Sequence, residues 1–357
     1  MNTAICIAGI WLVLLVLRDV FDGILIPGRT HRQLRTIPYY FHGTWAIWAA
    51  ITRRIQNKQN RERLLSVYGP LSMVGLLVLW AIGLIVGFGL IQAALTPGPW
   101  PYVFFESIYS TGSRMFTAGT GEWAKYASAS KVLVVVVSGV GLGFFTMVIT
   151  YLPILYQMFS RRESHVIMLD ERAGSPVTAA SLIQNHARRN GMKRLDELIA
   201  DWEKWGAELL ESHVSYPMLS YYRSEHGDES WLGAVAVIMD TCALRLSGAL
   251  DTDEFQAEAT LSMCLRALRS ICTVLRVKPL ATYPDRLPRD RFFALNDKLR
   301  ELQLPTGDGD VWSRLSKTRD TYEPVLAALG DYFLIDLPQW MPNAKIEAPL
   351  EASPMRR

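Results

Sequence analysis

The sequence predicts an all-α integral membrane protein. Its expected parts are an N-terminal transmembrane helix, a module of outer helix, pore loop and inner helix, and an all-helical cytoplasmic domain. Two apolar runs carry that expectation: 33 residues from Leu64 to Thr96 and 29 from Val132 to Ser160 contain no Asp, Glu, Lys or Arg. About 20 apolar residues already span a bilayer, and a water-soluble domain has no use for two such runs. The second observation is asymmetry. Residues 161–357 hold most of the charge and no run long enough to cross, so a soluble domain follows the membrane part. Of the 357 residues 50% are apolar and 20% charged, at a mean hydropathy of +0.13, which excludes a disordered chain. A net charge of +3 gives no reason to expect a nucleic-acid partner.

Residues 1–27 form the first expected segment, a transmembrane helix at about 3–26. Thr3 to Leu17 is unbroken apolar sequence, and Met1-Asn2-Thr3 supplies none of the positive charge that opens a signal peptide. Arg18, Asp19 and Asp22 then fall near one interface, where Arg18 can snorkel or pair with Asp22 one turn on. Residues 28–63 are a basic loop with eight Lys or Arg against one acid, Glu62. The positive-inside rule makes this loop cytoplasmic, the N-terminus external and the C-terminal domain cytoplasmic. Tyr39, Tyr40, Phe41, Trp45 and Trp48 among its basic neighbours predict a helix lying in the headgroup layer or a short helix packed on the soluble domain.

Residues 64–160 make the pore module. Gly69-Pro70 is the expected start of its outer helix, since proline suits a first helical position, and the helix runs to about Ala94. Gly75, Gly83, Gly87 and Gly89 leave room for close contact between helices. The inner helix is expected from about Lys131 to Gln157, with Gly139, Gly141 and Gly143 in its middle and Pro153 near its inner end.

Between them, Tyr102 to Phe116 is apolar enough to be buried but only about 22 Å long as a helix. It can dip into a bilayer and not cross it, provided that protein or water surrounds the backbone that returns. Thr117-Ala118-Gly119-Thr120-Gly121-Glu122 follows. A filter for small cations needs stacked backbone carbonyls whose conformation alternates in handedness, which favours glycine at every second position. Gly119 and Gly121 meet that need, and the Thr117 hydroxyl would add an innermost ring of oxygens. One such loop cannot enclose an axis. Four can, so the expected partners are three more copies of the chain, a homotetramer, together with membrane lipids.

These residues resemble the pore-loop tetrameric cation channels of the potassium channel superfamily. Phe116 to Glu122 is similar to that family's threonine-valine-glycine-tyrosine-glycine-aspartate filter, and Gly141 falls where its inner helix has a hinge glycine. A narrower resemblance covers nearly the whole chain, to an uncharacterised bacterial branch of potassium-channel-like proteins. It rests on Asp19-Val20-Phe21, the basic loop, Ser160-Arg161-Arg162-Glu163, Glu211 to Pro217 and Arg223 to Trp231. What the resemblance implies is a cation channel of the bacterial inner membrane, with K+ as permeant ion and no cofactor. Thr117, Ala118, Gly119, Thr120 and Gly121 would bind the ion, Glu122 and Arg114 would support the outer mouth, and Gly141 and Pro153 would gate. Ala118 and Thr120 depart from the family by replacing the larger aliphatic and the bracing aromatic, which opens a non-selective or sodium-passing pore as the alternative. Arg114 is the other departure. An unpaired buried guanidinium is costly, which favours pairing with Glu122 or Glu106; an inward-facing one would repel cations and leave a non-conducting membrane-anchored sensor or scaffold.

Residues 161–342 are expected to be a helical cytoplasmic domain and 343–357 a tail. His165 to Leu169 reads as a short extended link. Helices are expected from Ser175-Pro176 to Arg189 and over 193–213, 216–224, 229–248, 252–276, 289–302 and 309–333. His213 and His226, with Glu211, Glu225, Asp228, Glu229 and Asp240, are candidates for metal or proton sensing, against the reading of polar residues buried at a helix junction. Their spacing matches no metal-ligand pattern, and the domain's own ligand is not legible. The four cysteines, Cys6, Cys242, Cys264 and Cys272, read as packed thiols. No nucleophile with its base, no phosphate loop and no carboxylate pair points to an enzyme.

Overall fold

In the computed structural model, residues 2–25, 37–117, 128–224, 230–250, 254–302 and 310–342 are described, and every regular element among them is helical. The chain divides into two compact units, Met1–Phe159 and Ser160–Arg357.

The first unit is built on one long helix. Helix α1 (Asn2–Val20) continues through a π-helical turn, Phe21–Leu25, and α2 (Ile37–Thr52) follows. The 38-residue α3 (Lys58–Leu95) is about 57 Å long, almost twice a bilayer's hydrocarbon thickness. It starts earlier than Gly69-Pro70. Asn57 caps it by accepting from the Asn60 amide at 3.2 Å, and the charged turns Lys58 to Arg63 precede the apolar run. Pro70 sits in the interior, where it removes one backbone hydrogen bond; Leu65 and Tyr68, buried beneath α2, hold the helix through it.

Both flanking helices run antiparallel to α3. Along its C-terminal half lies α1: a Cβ on Gly87 would stand 2.7 Å from Val13 Cγ2 and 3.2 Å from the Gly9 carbonyl oxygen, so only glycine permits the approach. Trp80 Nε1 donates to the buried Asp19 carboxylate at 2.8 Å, and Arg18 pairs with Asp22 at 3.6 Å as the one-turn spacing predicts. Along its N-terminal half lies α2. Tyr40 OH donates to the Ser72 carbonyl at 2.9 Å, Thr44 and Tyr68 hydroxyls meet at 2.9 Å, and Trp48 Nε1 donates to the Leu64 carbonyl at 3.1 Å. The aromatic face of α2 therefore has its partner within the membrane unit, and Tyr39, Ile47 and Ile51 remain exposed on the other side.

After α4 (Trp100–Met115) comes the 46-residue α5 (Ser128–Ala173), with Pro153 inside it. The expected extended link at His165 to Leu169 is helix. Arg162, Val166, Leu169 and Ala173 recur at helical spacing and are all buried, so packing overrides the local β-branched pattern. Three helices, Asn2–Ile24, Lys58–Leu95 and Ala129–Ala173, are long and apolar enough to cross a membrane.

In the second unit, α6 (Ala179–Arg188) begins after Ser175-Pro176, because Thr178 and Ser181 form a reciprocal capping box. There follow α7 (Met192–Ser215), a 3-10 turn at Pro217–Tyr221 where a helix was expected, α8 (Trp231–Leu246), α9 (Glu254–Leu275), α10 (Arg289–Glu301) and α11 (Val311–Phe333). Trp231 to Arg245 of α8 is buried without a break, as an apolar helix too short for a membrane should be, and α6, α7, α9 and α11 pack around it. The four cysteines are free; burial pushes the Cys264 thiol up to about 12 and the Cys272 thiol to about 11, so both stay protonated and inert.

Candidate functional site

Helix α4 is placed by its small and polar residues. Val103, Ser107, Ser110, Thr111, Arg114 and Met115 form the buried face of α4, while Tyr102, Phe105 and Tyr109 stand out at 69%, 71% and 65% exposure. Pro99 caps the helix and Pro101 lies in its first turn, where a missing N–H costs nothing. From there α4 runs back antiparallel along α3. A Cβ on Gly89 would lie 3.3 Å from Ile108 Cα, and one on Gly112 would lie 3.7 Å from Ile85. Ile85 is about 15 Å along α3 from its end at Leu95, so the last turns of α4 reach back about that far along α3.

At its C-terminal end α4 meets α5. A Cβ on Gly141 would stand 2.6 Å from the Met115 carbonyl oxygen and 3.0 Å from Met115 Cα, a collision with backbone that no rotamer relieves. Gly141 therefore has a packing requirement, whereas Gly139 and Gly143 meet nothing within 4 Å. Pro153 is exposed on α5, which continues through it. The last turn of α4 closes with the Phe116 amide donating to the Gly112 carbonyl at 3.0 Å and the Thr117 amide to the Arg114 carbonyl at 3.1 Å. Thr117 then takes φ +63°, left-handed backbone that a β-branched residue adopts only under constraint. Arg114, on the buried face, is 5% exposed, and Glu106 is exposed. Ala118, Gly119, Thr120, Gly121 and Glu122 lie outside the described residues, as does His226.

In the second unit the candidate sensing residues join two different networks. His213 is buried on α7, and Arg162 Nη1 lies 3.3 Å from its Nε2. The same guanidinium donates to the Leu219 carbonyl at 2.8 Å, the Tyr222 carbonyl at 2.7 Å and the Glu163 carboxylate at 2.8 Å, with Trp231 beneath it at 5.9 Å. Burial, then the Arg162 charge, holds His213 well below its ordinary range, so it is neutral and accepts from Arg162. A cation at that nitrogen would face a guanidinium. Asp240 instead receives both Arg286 terminal nitrogens at 2.8 Å and the Tyr322 hydroxyl at 2.9 Å. Arg286 also binds Glu323, at 2.9 Å, and Trp340 lies under Arg286 and Arg319 at 5.9 and 5.3 Å. Burial and the neighbouring Glu323 push Asp240 up to about 6 against the pull of Arg286. Among the described residues no group of three or more His, Cys, Asp or Glu is arranged to hold a metal. Sequence reasoning named Arg162 only as part of a motif; its place one residue after another arginine, at helical spacing from Val166 and Leu169, was the available signal that it faces inward.

No family profile matches the chain, and no solved structure matches it. Over 188 residues it is 25% identical to the uncharacterized membrane protein YdjJ of Bacillus subtilis (strain 168), a match covering 50% of this chain and 53% of the relative. The chain thus spans about half the length of the curated relative it matches. With its three long apolar helices, that likeness makes this an all-helical membrane protein.

Proposed function

We propose that four copies of the chain assemble into a cation channel of the bacterial inner membrane, conducting potassium past the backbone carbonyls of Thr117, Ala118, Gly119 and Thr120. The observation that carries this reading is the course of α4. A 16-residue helix turns back along α3 and ends against Gly141; with Leu95 at the outer surface of an apolar layer about 30 Å thick, that end would lie near the middle of the layer. Its C-terminal carbonyls then carry partial negative charge into the layer, where a dehydrating cation needs it. Thr117 adds support: its left-handed backbone is in phase with Gly119 and Gly121 two and four residues on, the alternation a carbonyl-lined filter requires. The eight basic residues between positions 28 and 63 support a cytoplasmic side for that loop and hence for the C-terminal unit. Gly141 and Pro153 are the proposed gating positions on the inner helix.

A second reading is favoured by Arg114. Its guanidinium, buried in the last turn of α4, opposes the field of the helix end, and on the axis it would make the protein a non-conducting membrane sensor. Flux from vesicles loaded with potassium separates the two. Purified protein is expected to release potassium, and Gly119→Ala, which forbids the alternating backbone, to reduce release at least tenfold. Absence of flux in the parent protein would overturn the channel reading in favour of the sensor. Reversal potentials in mixed potassium and sodium salts decide selectivity, where Ala118 and Thr120 leave a sodium-passing pore as the competing outcome.

A further inference from the structure

The second unit contains a cavity with no role in the conduction path. It holds about 180 Å³ and is lined by Arg172, Asn185, His186, Arg189, Gly191 and Arg194. Three arginines line it from three places: the last turn of α5, the end of α6 and the first turn of α7. No acid lines it, and none of the three arginines forms an ion pair with a described residue. The nearest acid of α7, Asp196, is committed to Arg245.

The backbone adds to this field. Gly191 caps α7 without any side-chain hydrogen bond, so the amides of the first turn of a 24-residue helix have no side-chain acceptor at that end, and that turn carries no acid. His186 gives its Nδ1 proton to the Leu182 carbonyl at 2.8 Å, which leaves Nε2 as an acceptor. Burial, and after it the charges of Arg172 and Arg189, lowers its pKa. The floor is fixed: Asn185 donates to the Ala173 carbonyl at 2.7 Å and the Arg172 carbonyl at 3.2 Å, tying α6 to the C-terminal end of α5.

The geometry points to a binding site for a phosphate group, held by Arg172, Arg189 and Arg194 at the N-terminal pole of α7. Guanidinium forks match tetrahedral oxyanions, and helix N-termini take the same ligand. The volume sets the size. At about 180 Å³ the cavity is smaller than the 300–1,000 Å³ of sites that enclose drug-sized molecules, so it takes the phosphate and a short substituent, not a whole nucleotide. That chemistry is offered both by free phosphate metabolites and by the headgroup of an anionic phospholipid.

Equilibrium binding of radiolabelled inorganic phosphate to the full chain tests the site, in nanodiscs of phosphatidylcholine alone and of phosphatidylcholine with phosphatidylglycerol. Arg189→Gln with Arg194→Gln is the informative variant, because both side chains are exposed and neither forms a hydrogen bond or ion pair with a described residue. Saturable binding in phosphatidylcholine discs, weakened at least tenfold in the double variant, marks a soluble ligand. Phosphate binding abolished by phosphatidylglycerol, with that lipid co-purifying with the parent chain and not with the variant, marks a headgroup. Equal behaviour of parent and variant toward both probes, or no binding of either, overturns the proposal. None of these outcomes depends on whether the protein conducts ions.

Discussion

Arg162 and His213 show how a single buried charge organises the second unit. The guanidinium has Glu163 as its counter-ion, but its two carbonyl acceptors, Leu219 and Tyr222, belong to the 3-10 turn after α7 and the residue that ends it, so one side chain of α5 holds that turn. His213 must stay neutral for this to work. Its pKa lies well below the ordinary value near 6.5 in the folded chain, so acid conditions protonate it in the unfolded chain first. The unfolded state then binds more protons, and stability falls as pH drops below about 6.5, by up to about 1.4 kcal/mol per pH unit. Asp240 works in the opposite direction. Raised to about 6, it contributes stability that is lost as pH rises through that value. Thermal unfolding of the full chain between about pH 7 and pH 5 should therefore show His213→Gln losing less stability on acidification than the parent, since glutamine can still accept from Arg162 and does not titrate. Parallel pH profiles would mean that His213 is not held neutral.

At the scale of elements, the contact of α4 with α5 fixes where α4 ends, and in the proposed channel that end carries the filter. Gly141→Val places a branched side chain where even a Cβ is 2.6 Å from the Met115 carbonyl, and the two helices must separate. The expected loss is about 1–3 kcal/mol of stability, together with the potassium flux of reconstituted protein. Gly139→Ala, with nothing within 4 Å, is expected to keep both. If the two variants behave alike, the close approach at Gly141 does not hold α4 in place, and the packing account of α4 fails. Helix interiors were legible in the sequence and helix ends were not. The charge-free runs located α3 and α5, and the 3.6-residue stripe of Leu195, Leu198, Ile199, Trp202 and Trp205 located α7, all of them buried. Pro70 and the stretch from His165 to Leu169 misled, because local rules for proline and β-branched residues were overridden by burial of Tyr68, Val166 and Leu169 against distant neighbours. The cavity at Arg172, Arg189 and Arg194 was illegible for a related reason. Its arginines come from three elements, and no spacing within one helix announces them.

For the whole molecule, what a single chain leaves uncovered is the more informative surface. Tyr102, Phe105 and Tyr109 line one side of α4, and Val132, Val135 and Ile149 stand out on α5 at 66%, 70% and 68% exposure. Within the proposed assembly these faces meet neighbouring copies or lipid, and the carbonyls following Thr117 meet on a common axis. A density map of the purified protein in lipid discs with potassium present measures that arrangement directly. The account predicts four subunits around one axis, the C-terminal ends of four α4 helices aimed at a central cavity, and ion density between main-chain oxygens of residues 117–120. An assembly of two or three subunits, or those oxygens turned toward lipid and solvent with the Arg114 guanidinium on the axis, would contradict it.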